Sequence, residues 1–489
     1  MTIKKLFIAN RAEIALRIVR TAHRMGISTV VPFHSSDRHG PAQLVANETV
    51  ELYGEPPVSA WLDGNAIIAA ALASGCDAIH PGYGFVSENA GFARAVAEAG
   101  LTFVGPPADV IRLMGDKITA RQFATRCGVP VTPSADEADA PETFAERARA
   151  IGFPLLVKGS AGGGGKGMQI VREPAALDAA IAVARAESQR YFGDGRLLAE
   201  RFVEDPRHIE VQVFGDTHGN VIHLGERECS IQRRFQKLIE ETPAPTLAPE
   251  LRQRICGDAV RLAREAGYVN AGTVECIVAP SGEYYFLEMN TRLQVEHPVT
   301  EMVTGLDLVE WQLRVAQGET LPLQQDQVHW HGSAIECRIL AEDADAGFVP
   351  DTGTILLLHE PQGPGVRFDC GVTPGATVSA NFDSMLAKLV VHGATRALAI
   401  SRLRQALDET VMLGVTINAH FLGRVLAHPA FQAGATDTGF LERHKAELKP
   451  TEWTDEERRA LLAVAATVGR DPQTKELPEP YASMGAWHN

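Results

Sequence analysis

Short apolar runs alternate with amphipathic segments in the first part of the chain. Residues 4 to 9, 28 to 33 and 78 to 80 have the apolar character of buried strands, and residues 64 to 74 form a Gly- and Ala-rich segment of helical length. Another helix is predicted between the first two strands. This alternation of strands and helices predicts an α/β domain with a parallel sheet.

The helix after the first strand is predicted to begin in a capping box. Asn10 and Glu13 stand three positions apart, the spacing at which each side chain can bind the other residue's backbone N–H group. The inward face has four apolar residues at helical spacing: Ile14, Ile18, Ala22 and Met25. Gly26 predicts the end of the helix. The turn at residues 9 to 13 contains no glycine, so it lacks the fingerprint of an NAD-binding loop.

Three or four domains or subdomains are expected, because 489 residues exceed what one hydrophobic core usually organises. A stretch rich in Pro, Asp, Ala and Ser predicts a boundary near residue 131, and a strand is predicted at 155 to 158. Residues 204 to 330 mix strands with amphipathic helices such as 249 to 266. A second boundary is therefore expected after this mixed region.

The C-terminal part is predicted to form a separate layer. Residues 331 to 446 begin with apolar runs typical of strands and end with helical patterns around 395 to 427. The tail after 446 is charged and contains proline, with one helical candidate at 454 to 468. A linker is expected there.

Charge and composition exclude several classes of protein. The net charge is −15, from 46 Lys and Arg against 61 Asp and Glu, so long-range repulsion disfavours nucleic-acid and membrane partners. Seven cysteines without a CxxC pair indicate buried thiols in a reducing compartment. No apolar run approaches the roughly 20 residues of a spanning helix, and the run at residues 6 to 9 is too short for a signal peptide. A cytoplasmic protein is expected.

A glycine-rich loop is the most distinctive motif. Six glycines occur in the nine residues 159 to 167, with Lys158 before them and Lys166 among them. The loop lies between apolar runs at 155 to 157 and 168 to 171, which predicts the order strand, loop, strand. The backbone N–H groups of such a loop can close over phosphates, whereas the alternative is a flexible hairpin tip. The spacing does not match a Walker loop.

Two strand-like runs, 272 to 278 and 284 to 289, predict a hairpin with a two-residue turn. With that turn Glu275 faces Glu288. Directly opposed carboxylates destabilise a hairpin unless a cation lies between them. Asn290 points the same way, so these three residues form a candidate Mg²⁺ site. Two solvated acids on an exposed edge are the alternative.

The chain that continues from this hairpin has one wholly polar face. Five polar residues recur at period two: Glu288, Asn290, Arg292, Gln294 and Glu296. Met289, Leu293 and Val295 fall on the opposite face. Fully extended, the polar run would span about 26 Å at roughly 3.3 Å per residue, so a bend around one ligand is expected. Arg292 and Glu296 suit a small planar anion, although a half-exposed strand would show the same alternation.

Six motifs together resemble the biotin carboxylase branch of the ATP-grasp ligases, over residues 1 to 446. They are Ile8 to Arg11, His80 to Phe85, Arg112 to Lys117, the glycine loop, Arg227 to Arg234 and Glu288 to Pro298. The resemblance implies an α/β and α+β fold with a Rossmann-like N-terminal domain, an ATP-grasp domain with a mobile lid, and a C-terminal biotin carboxylase domain. The implied bounds are residues 1 to 113, 114 to 330 with the lid at about 131 to 203, 331 to 446, and a tail or linker at 447 to 489.

The resemblance also implies ATP as a substrate and Mg²⁺ as the metal, with Mn²⁺ able to replace it. The implied nucleotide-binding residues are Lys117, Lys158, Gly163, Gly164, Gly165, Lys166, Gly167, Glu200, Phe202, Val203, His208, Gln232, Glu275 and Glu288. Among them, Lys117 and Lys158 correspond to phosphate-binding lysines, and residues 200 to 203 to a hinge whose backbone binds adenine. The implied metal ligands are Glu275, Glu288 and Asn290, in agreement with the hairpin pattern.

The implied bicarbonate and biotin residues are Arg292, Gln294, Val295, Arg338, Tyr83 and Asp383. Glu296 resembles the base that deprotonates bicarbonate, so that a bicarbonate oxygen attacks the γ-phosphate of ATP and gives carboxyphosphate. Lys237 would steady that intermediate, and Arg338 would stabilise the biotin enolate by its charge. Arg292 completes the implied catalytic set.

One residue departs from the family pattern, because Phe235 stands where relatives often have histidine. A phenyl ring cannot hydrogen-bond, so no polar contact to ATP is expected from it. The sequence has no Met-Lys pair, whereas the family attaches biotin at an Ala-Met-Lys-Met-like site. The resemblance therefore implies biotin on a separate carrier protein, with a carboxyltransferase as a second partner. The tail after Pro478 resembles the join to the next domain of acyl-CoA carboxylases, and homodimers are common in the family.

Two other functions share part of this pattern. An ATP-grasp carboxylate-amine ligase would use the same lysines, lid and metal acids, but it has no use for Arg338 or for the cradle from Arg292 to Glu296. A nucleotide sensor would bind ATP without turnover, so Glu296 would support no activity.

Overall fold

The computed structural model of the chain describes residues 2 to 38, 40 to 137, 141 to 160, 168 to 450 and 454 to 468. Most of the glycine-rich loop falls outside these residues. The predicted nucleotide-binding residues that fall there are Gly163, Gly164, Gly165, Lys166 and Gly167.

The predicted parallel sheet is present at the N-terminus. Its strands are β1 (Lys5–Ile8), β2 (Ser28–Phe33), β3 (Glu48–Glu51), β4 (Ala78–His80) and β5 (Thr102–Phe103). The helices of this region are α1 (Ala12–Arg24), α2 (Pro41–Val45), α3 (Gly64–Ala73), α4 (Ala90–Glu98), α5 (Ala108–Gly115) and α6 (Lys117–Arg126). The strand order is β3-β2-β1-β4-β5 with parallel pairing throughout, so the predicted α/β class of this region is confirmed.

The predicted capping box at the start of α1 is wrong. Arg11, not Asn10, is the N-cap, and it makes no side-chain capping bond. The Asn10 amide instead donates to the carbonyl oxygens of Pro81 and Tyr83, at 2.7 and 2.8 Å. Glu13 is buried rather than folded back onto the helix end. Tertiary contacts to the β4 turn therefore override the local capping pattern.

A small antiparallel sheet carries the glycine loop. Its strands are β6 (Ser134–Asp136), β7 (Leu155–Gly159), β8 (Gln169–Val171) and β9 (Leu197–Arg201), and its helices are α7 (Phe144–Ile151) and α8 (Leu177–Phe192). The order is β6-β9-β7-β8. The predicted order of strand, loop and strand is confirmed, and the two strands are also hydrogen-bonded neighbours, with Leu155 paired to Val171.

The central part of the chain forms most of a large antiparallel sheet. Its elements are β10 (Arg207–Gly215), β11 (Val221–Arg233), β12 (Gln236–Thr242), α9 (Pro249–Glu265), β13 (Asn270–Val278), β14 (Tyr284–Asn290), α10 (His297–Thr304) and α11 (Leu308–Ala316). Helix α9 closely matches the amphipathic segment predicted at 249 to 266. One apolar core joins α1 and α11 to β10 and β11, and it includes an edge-to-face contact between Phe214 and Trp311.

The C-terminal part extends the same sheet. Its strands are β15 (Ser333–Leu340), β16 (Glu342–Asp343), β17 (Val349–Pro350), β18 (Gly353–Thr354), β19 (Leu357–His359), β20 (Val366–Cys370), β21 (Thr377–Val378), β22 (Met385–Gly393) and β23 (Val411–Leu413). Its helices are α12 (Arg396–Glu409), α13 (Ala419–Ala427), α14 (Pro429–Gln432) and α15 (Phe440–Arg443).

The prediction of a separate C-terminal layer is wrong. The large sheet runs β14-β13-β10-β11-β12-β15-β22-β20, because the free edge of β12 pairs with β15, as in Ile239 with Cys337. Residues Met1–Leu448 accordingly form one compact unit. The second unit, Lys449–Asn489, contains α16 (Asp455–Val468), where the sequence predicted a helix.

Candidate active site

The predicted acid pair lies in the β13–β14 hairpin. Glu275 is the cross-strand partner of Glu288, as predicted. The predicted two-residue turn at Ser281-Gly282 is wrong, because Val278 pairs with Tyr284 and a longer loop joins the strands. Gly282, at a φ of 86°, supplies the left-handed residue that three-residue hairpin loops need. A register shift after Glu275 then restores the pairing of the two acids.

Glu275 is buried and surrounded by hydrogen-bond donors. Lys237 Nζ lies 2.9 Å and His208 Nε2 lies 2.8 Å from its carboxylate. The amides of Asn290 and Gln294 donate to it at 2.7 and 2.9 Å. Burial by itself would raise the pKa of Glu275, but Lys237 and His208 outweigh burial and hold that pKa well below its usual range. Glu275 is therefore held as an anion.

Glu288 is the more open member of the pair, with 33% of its side chain exposed. Lys117, the first residue of α6, places its Nζ 3.9 Å from the Glu288 carboxylate. The backbone N–H group of Lys117 donates to the carbonyl oxygen of Ser160, at the start of the glycine-rich loop. Asn290 carries a further amide oxygen, which accepts from the Arg292 guanidinium in this structure, while its amide nitrogen donates to Glu275. Oxygen donors of these kinds are what Mg²⁺ prefers, so the residues present fit the implied metal.

Glu296 is the centre of a second cluster of charges. It lies between the end of β14 and the start of α10, so the run from Glu288 to Glu296 is not one extended strand, and its bend around a ligand stays a prediction. One carboxylate oxygen lies 2.7 Å from Lys237 Nζ and the other 2.9 Å from the Arg338 guanidinium. Burial would raise the pKa of Glu296, but Lys237, Arg338 and Arg227 hold it well below its usual range. Glu296 is thus a buried carboxylate in the form that accepts a proton.

Lys237 connects the two clusters. Its Nζ contacts Glu275, Glu296 and also Glu210, the last at 2.5 Å. Burial would lower the pKa of Lys237, but the three carboxylates raise it well above its usual range. Arg227 shares Glu210, with its Nε at 2.5 Å. A permanently charged ammonium group therefore stands between the predicted metal side and the predicted base.

A cavity of about 370 Å³ opens beside Arg338. Five of the six predicted bicarbonate and biotin residues line it: Tyr83, Arg292, Val295, Arg338 and Asp383. Arg338 is fixed there by Glu240 at 2.6 Å in addition to Glu296. The sixth residue, Gln294, is buried and donates to Glu275. Residues far apart in sequence thus converge on one cavity next to the proposed base.

The guanidinium of Arg292 is held on three sides. It donates to Glu88 at 2.9 Å, to the Asn290 side-chain oxygen at 3.0 Å and to the Gln294 side-chain oxygen at 2.7 Å. Burial would lower its pKa, but Glu88 raises it. Arg292 is therefore a fixed positive group on the wall of the cavity, which suits a small anion.

Three acids of this site, Glu88, Glu210 and Glu240, are absent from the sequence predictions. The signal for Glu210 is present in β10, where His208, Glu210 and Gln212 alternate with apolar residues. All three side chains are buried on the sheet. A polar face with period two inside an otherwise apolar strand could therefore have identified Glu210.

The predicted phosphate-binding lysine of β7 is committed to an ion pair. Lys158 is buried and contacts Glu200, which also binds Arg121 at 2.8 Å. Burial lowers the pKa of Lys158 despite this contact. Burial by itself would raise the pKa of Glu200, but Lys158 and Arg121 lower it to about 2. The predicted hinge therefore has a side-chain role in fixing Lys158.

A second cavity, of about 300 Å³, lies beside the predicted hinge. Phe202 and Gln232 line it together with Phe235, which is 50% exposed. The Gln232 amide lies 2.8 Å from a ring nitrogen of His208. Val203, next along the chain, is half-buried. An apolar ring beside polar groups at a hinge is suited to the flat face of a base.

Three sequence families match successive parts of the chain. They are "Biotin carboxylase, N-terminal domain" at residues 2 to 111, "Carbamoyl-phosphate synthase L chain, ATP binding domain" at 116 to 324, and "Biotin carboxylase C-terminal domain" at 336 to 443.

Individual relatives agree with these matches. The biotin carboxylase of Haemophilus influenzae is 46% identical over 443 residues, which cover 90% of this chain and 98% of the relative. The mitochondrial methylcrotonoyl-CoA carboxylase subunit alpha of Oryza sativa subsp. japonica is 46% identical over 496 residues, covering 99% of this chain and 67% of the relative. Other methylcrotonoyl-CoA carboxylase alpha subunits are covered over 61% to 70% of their length.

A solved structure shows the same architecture. The biotin carboxylase domain dimer of the Hydrogenobacter thermophilus 2-oxoglutarate carboxylase, in complex with MgADP, ADP and bicarbonate, aligns with a TM-score of 0.90. Its identity to this chain is 42%, and the alignment covers 92% of this chain and 100% of that domain. Within the described residues, no helix has the length and apolar character needed to cross a membrane.

Proposed function

The chain belongs to the biotin carboxylase family of ATP-grasp ligases, and we propose that Glu296 is the base of its ATP- and bicarbonate-dependent reaction. The observation that carries this assignment is the buried contact of Glu296 with both Lys237 and Arg338, beside the cavity that Arg292 and Val295 line. A carboxylate between two cations becomes a stronger base when an anion arrives to share their charge. The site is thus activated by the substrate that it deprotonates.

The proposed reaction follows from these positions. Glu296 takes the proton of bicarbonate, and a bicarbonate oxygen attacks the γ-phosphorus of ATP, so that ADP leaves. The carboxyphosphate that forms breaks its bond between carbon and the bridging oxygen, giving CO₂ and phosphate. Phosphate takes the ureido proton of biotin, and the biotin nitrogen attacks CO₂. Lys237 faces the phosphate, and Arg338 stabilises the enolate charge on biotin.

Mg²⁺ in this family neutralises phosphate charge and orients the nucleotide. Glu275, Glu288 and Asn290 would hold it, because their oxygens form the donor set described above. Lys117 and Lys158 would bind phosphates from the adjoining elements. Phe202, Val203 and Gln232 would contact the nucleoside from the hinge side.

We propose an acyl-CoA as the final acceptor. Support comes from the methylcrotonoyl-CoA carboxylase alpha subunits, to which this chain is similar over about two-thirds of their length. The proposed partners are a biotin carrier protein and a carboxyltransferase. The lack of a Met-Lys pair in the sequence supports a carrier outside these 489 residues. A homodimer is also proposed, because the Hydrogenobacter domain is described as a dimer. The cytoplasmic location stays a prediction, since several relatives are mitochondrial.

ATP hydrolysis measured with and without bicarbonate tests the proposed function. We expect ADP release to require bicarbonate and to increase when free biotin is added, because both act in the cavity beside Glu296. Carboxylate and amine pairs should not replace bicarbonate. If the rate of ATP hydrolysis does not depend on bicarbonate but increases when a carboxylate and an amine are added, the chain has a different ATP-grasp activity.

A further inference from the structure

A buried lysine links the proposed bicarbonate site to the first helix of the chain. Lys388 lies in the middle of β22, where it pairs with Arg338 of β15, and its side chain has no exposed surface. Its Nζ donates to the carbonyl oxygen of Val295 at 2.9 Å. The same Nζ lies 3.2 Å from Oε2 of Glu13, in the first turn of α1. Three separated segments therefore meet at one ammonium group.

This arrangement contributes little to stability by itself. A buried ion pair loses the hydration of both charges, and apolar residues of similar size often stabilise a core as well or better. Apart from this contact with Lys388, neither side-chain oxygen of Glu13 has a hydrogen-bond partner within the described residues. Burial raises the pKa of Glu13 to about 7, although Lys388 acts against this rise. The pair is better explained by what Lys388 holds than by the strength of the ion pair.

The group that Lys388 holds is the peptide unit directly before the proposed base. Residues 291 to 296 lie in neither a strand nor a helix, so no regular ladder of hydrogen bonds fixes them. A peptide unit is planar, and fixing the Val295 carbonyl oxygen therefore also fixes the direction of the Glu296 N–H group. Val295 and Glu13 line the same cavity as Arg338. A small rotation of this peptide would move the wall against which bicarbonate must lie.

We propose that Lys388 and Glu13 are positioning residues for bicarbonate. Lys388 holds the peptide between Val295 and Glu296 in the orientation that binds the substrate, and Glu13 holds Lys388. This inference rests on the proposed function, in which residues 292 to 296 bind bicarbonate. Neither residue is a proton donor or acceptor in the reaction.

Steady-state kinetics of a Lys388→Met variant test the proposal. We expect kcat/KM for bicarbonate to fall about 10- to 100-fold, because misplacing a reacting group by about 1 Å can cost that much. The KM for ATP should stay at the wild-type value, because Lys388 contacts none of the proposed nucleotide residues. Unchanged kinetics for bicarbonate in a folded variant would overturn the proposal.

A matched control removes another cation, Arg396, whose side chain is half-buried in the same part of the fold. Arg396 forms an ion pair with Glu241 at 2.6 Å and lies outside the proposed site. An Arg396→Met variant should lose thermal stability, as Lys388→Met should, because each change leaves a buried carboxylate without its cation. It should nevertheless keep the wild-type kinetics for bicarbonate. An equal fall in kcat/KM for bicarbonate in both variants would reduce Lys388 to a structural role.

A Glu13→Gln variant decides the question if Lys388→Met does not fold. It keeps the shape of the side chain but removes the countercharge of Lys388. At pH 8, where most Glu13 is ionised because its raised pKa is about 7, kcat/KM for bicarbonate should therefore fall about 10-fold with an unchanged KM for ATP. Wild-type kinetics in this variant would overturn the proposal. The proposed function fails separately, if the wild-type enzyme itself shows no dependence on bicarbonate.

Discussion

Opposite charges define the site at the scale of single residues. Glu296 touches two cations, and Lys237 touches three carboxylates. A Glu296→Gln variant keeps the size of the side chain and loses the ability to accept a proton. We expect kcat to fall about 10²- to 10⁴-fold, the usual contribution of a general base, with unchanged ATP affinity. Equilibrium binding of ATP together with initial rates checks this. A turnover close to the wild-type rate would remove Glu296 from the role of base.

A buried acid away from the cavity gives a pH test. Burial raises the pKa of Glu228 to about 7, although Arg207 contacts it. A raised pKa means that folding favours the protonated acid, so this stabilisation is complete below pH 4.5 and is lost as pH rises towards 7. From pH 5 to 7 the wild type should lose about 2 kcal/mol of unfolding free energy relative to a Glu228→Gln variant.

Urea unfolding of both proteins at several pH values measures that difference. Other buried acids titrate in both proteins, so their contributions cancel. A constant gap between wild type and Glu228→Gln from pH 5 to 7 would mean that Glu228 is already ionised in the folded protein.

Single residues also show the limit of sequence-based prediction. The resemblance named Arg338, Arg292 and Glu296, which the structure brings together. It did not name Lys388 or Glu13, because their roles depend on tertiary neighbours. The spacing alone predicts Glu13 as a capping residue, whereas the fold buries it against Lys388, which lies 375 positions further along the chain.

At the scale of elements, the sequence predicts the pairing of Glu275 with Glu288 in the β13–β14 hairpin correctly, but not the turn between the two strands. The two-residue turn was wrong, and a register shift compensates for the longer loop. An alternating pattern predicts the face of the strand on which each side chain lies. A change of one residue in the turn can be offset by a bulge that shifts the register by one residue, so the cross-strand partners beyond the bulge stay the same. The prediction that Glu275 faces Glu288 is therefore correct, although the predicted turn is wrong.

The same hairpin offers a metal test with an internal control. A Glu288→Gln variant should need at least about 10-fold more free Mg²⁺ for half-maximal ATP hydrolysis, because it loses a charged oxygen ligand. Glu283→Gln changes an exposed acid beside the turn of the same hairpin and should leave the requirement unchanged. Rates measured across a series of free Mg²⁺ concentrations distinguish them. Equal Mg²⁺ requirements in both variants would place the metal elsewhere.

At the scale of the whole molecule, the N-terminal sheet was predicted well and the C-terminal layer was not. Each strand and helix of this sheet is a continuous segment with its own hydrophobic periodicity, so the sequence predicts it. The pairing of β12 with β15 joins strands about a hundred residues apart, and nothing in the periodicity marks which edge a strand will use. One sheet therefore runs across the predicted boundary at residue 331, and the domain bounds themselves stay a prediction.

The whole molecule also predicts where activity resides. Every proposed site residue lies in the unit Met1–Leu448. A protein of residues 1 to 448 should therefore fold and keep the wild-type rates of bicarbonate-dependent ATP hydrolysis. Circular dichroism and initial rates check this outcome. A folded but inactive fragment would assign a catalytic role to residues 449 to 489.

The fate of the bicarbonate oxygens tests the central claim most directly. In the proposed reaction one bicarbonate oxygen bonds to the γ-phosphorus and stays there when CO₂ leaves. With ¹⁸O-labelled bicarbonate, inorganic phosphate released in a rapid single turnover should carry one labelled oxygen, as measured by mass spectrometry. Phosphate whose new oxygen comes from water alone would contradict attack by a bicarbonate that Glu296 has deprotonated.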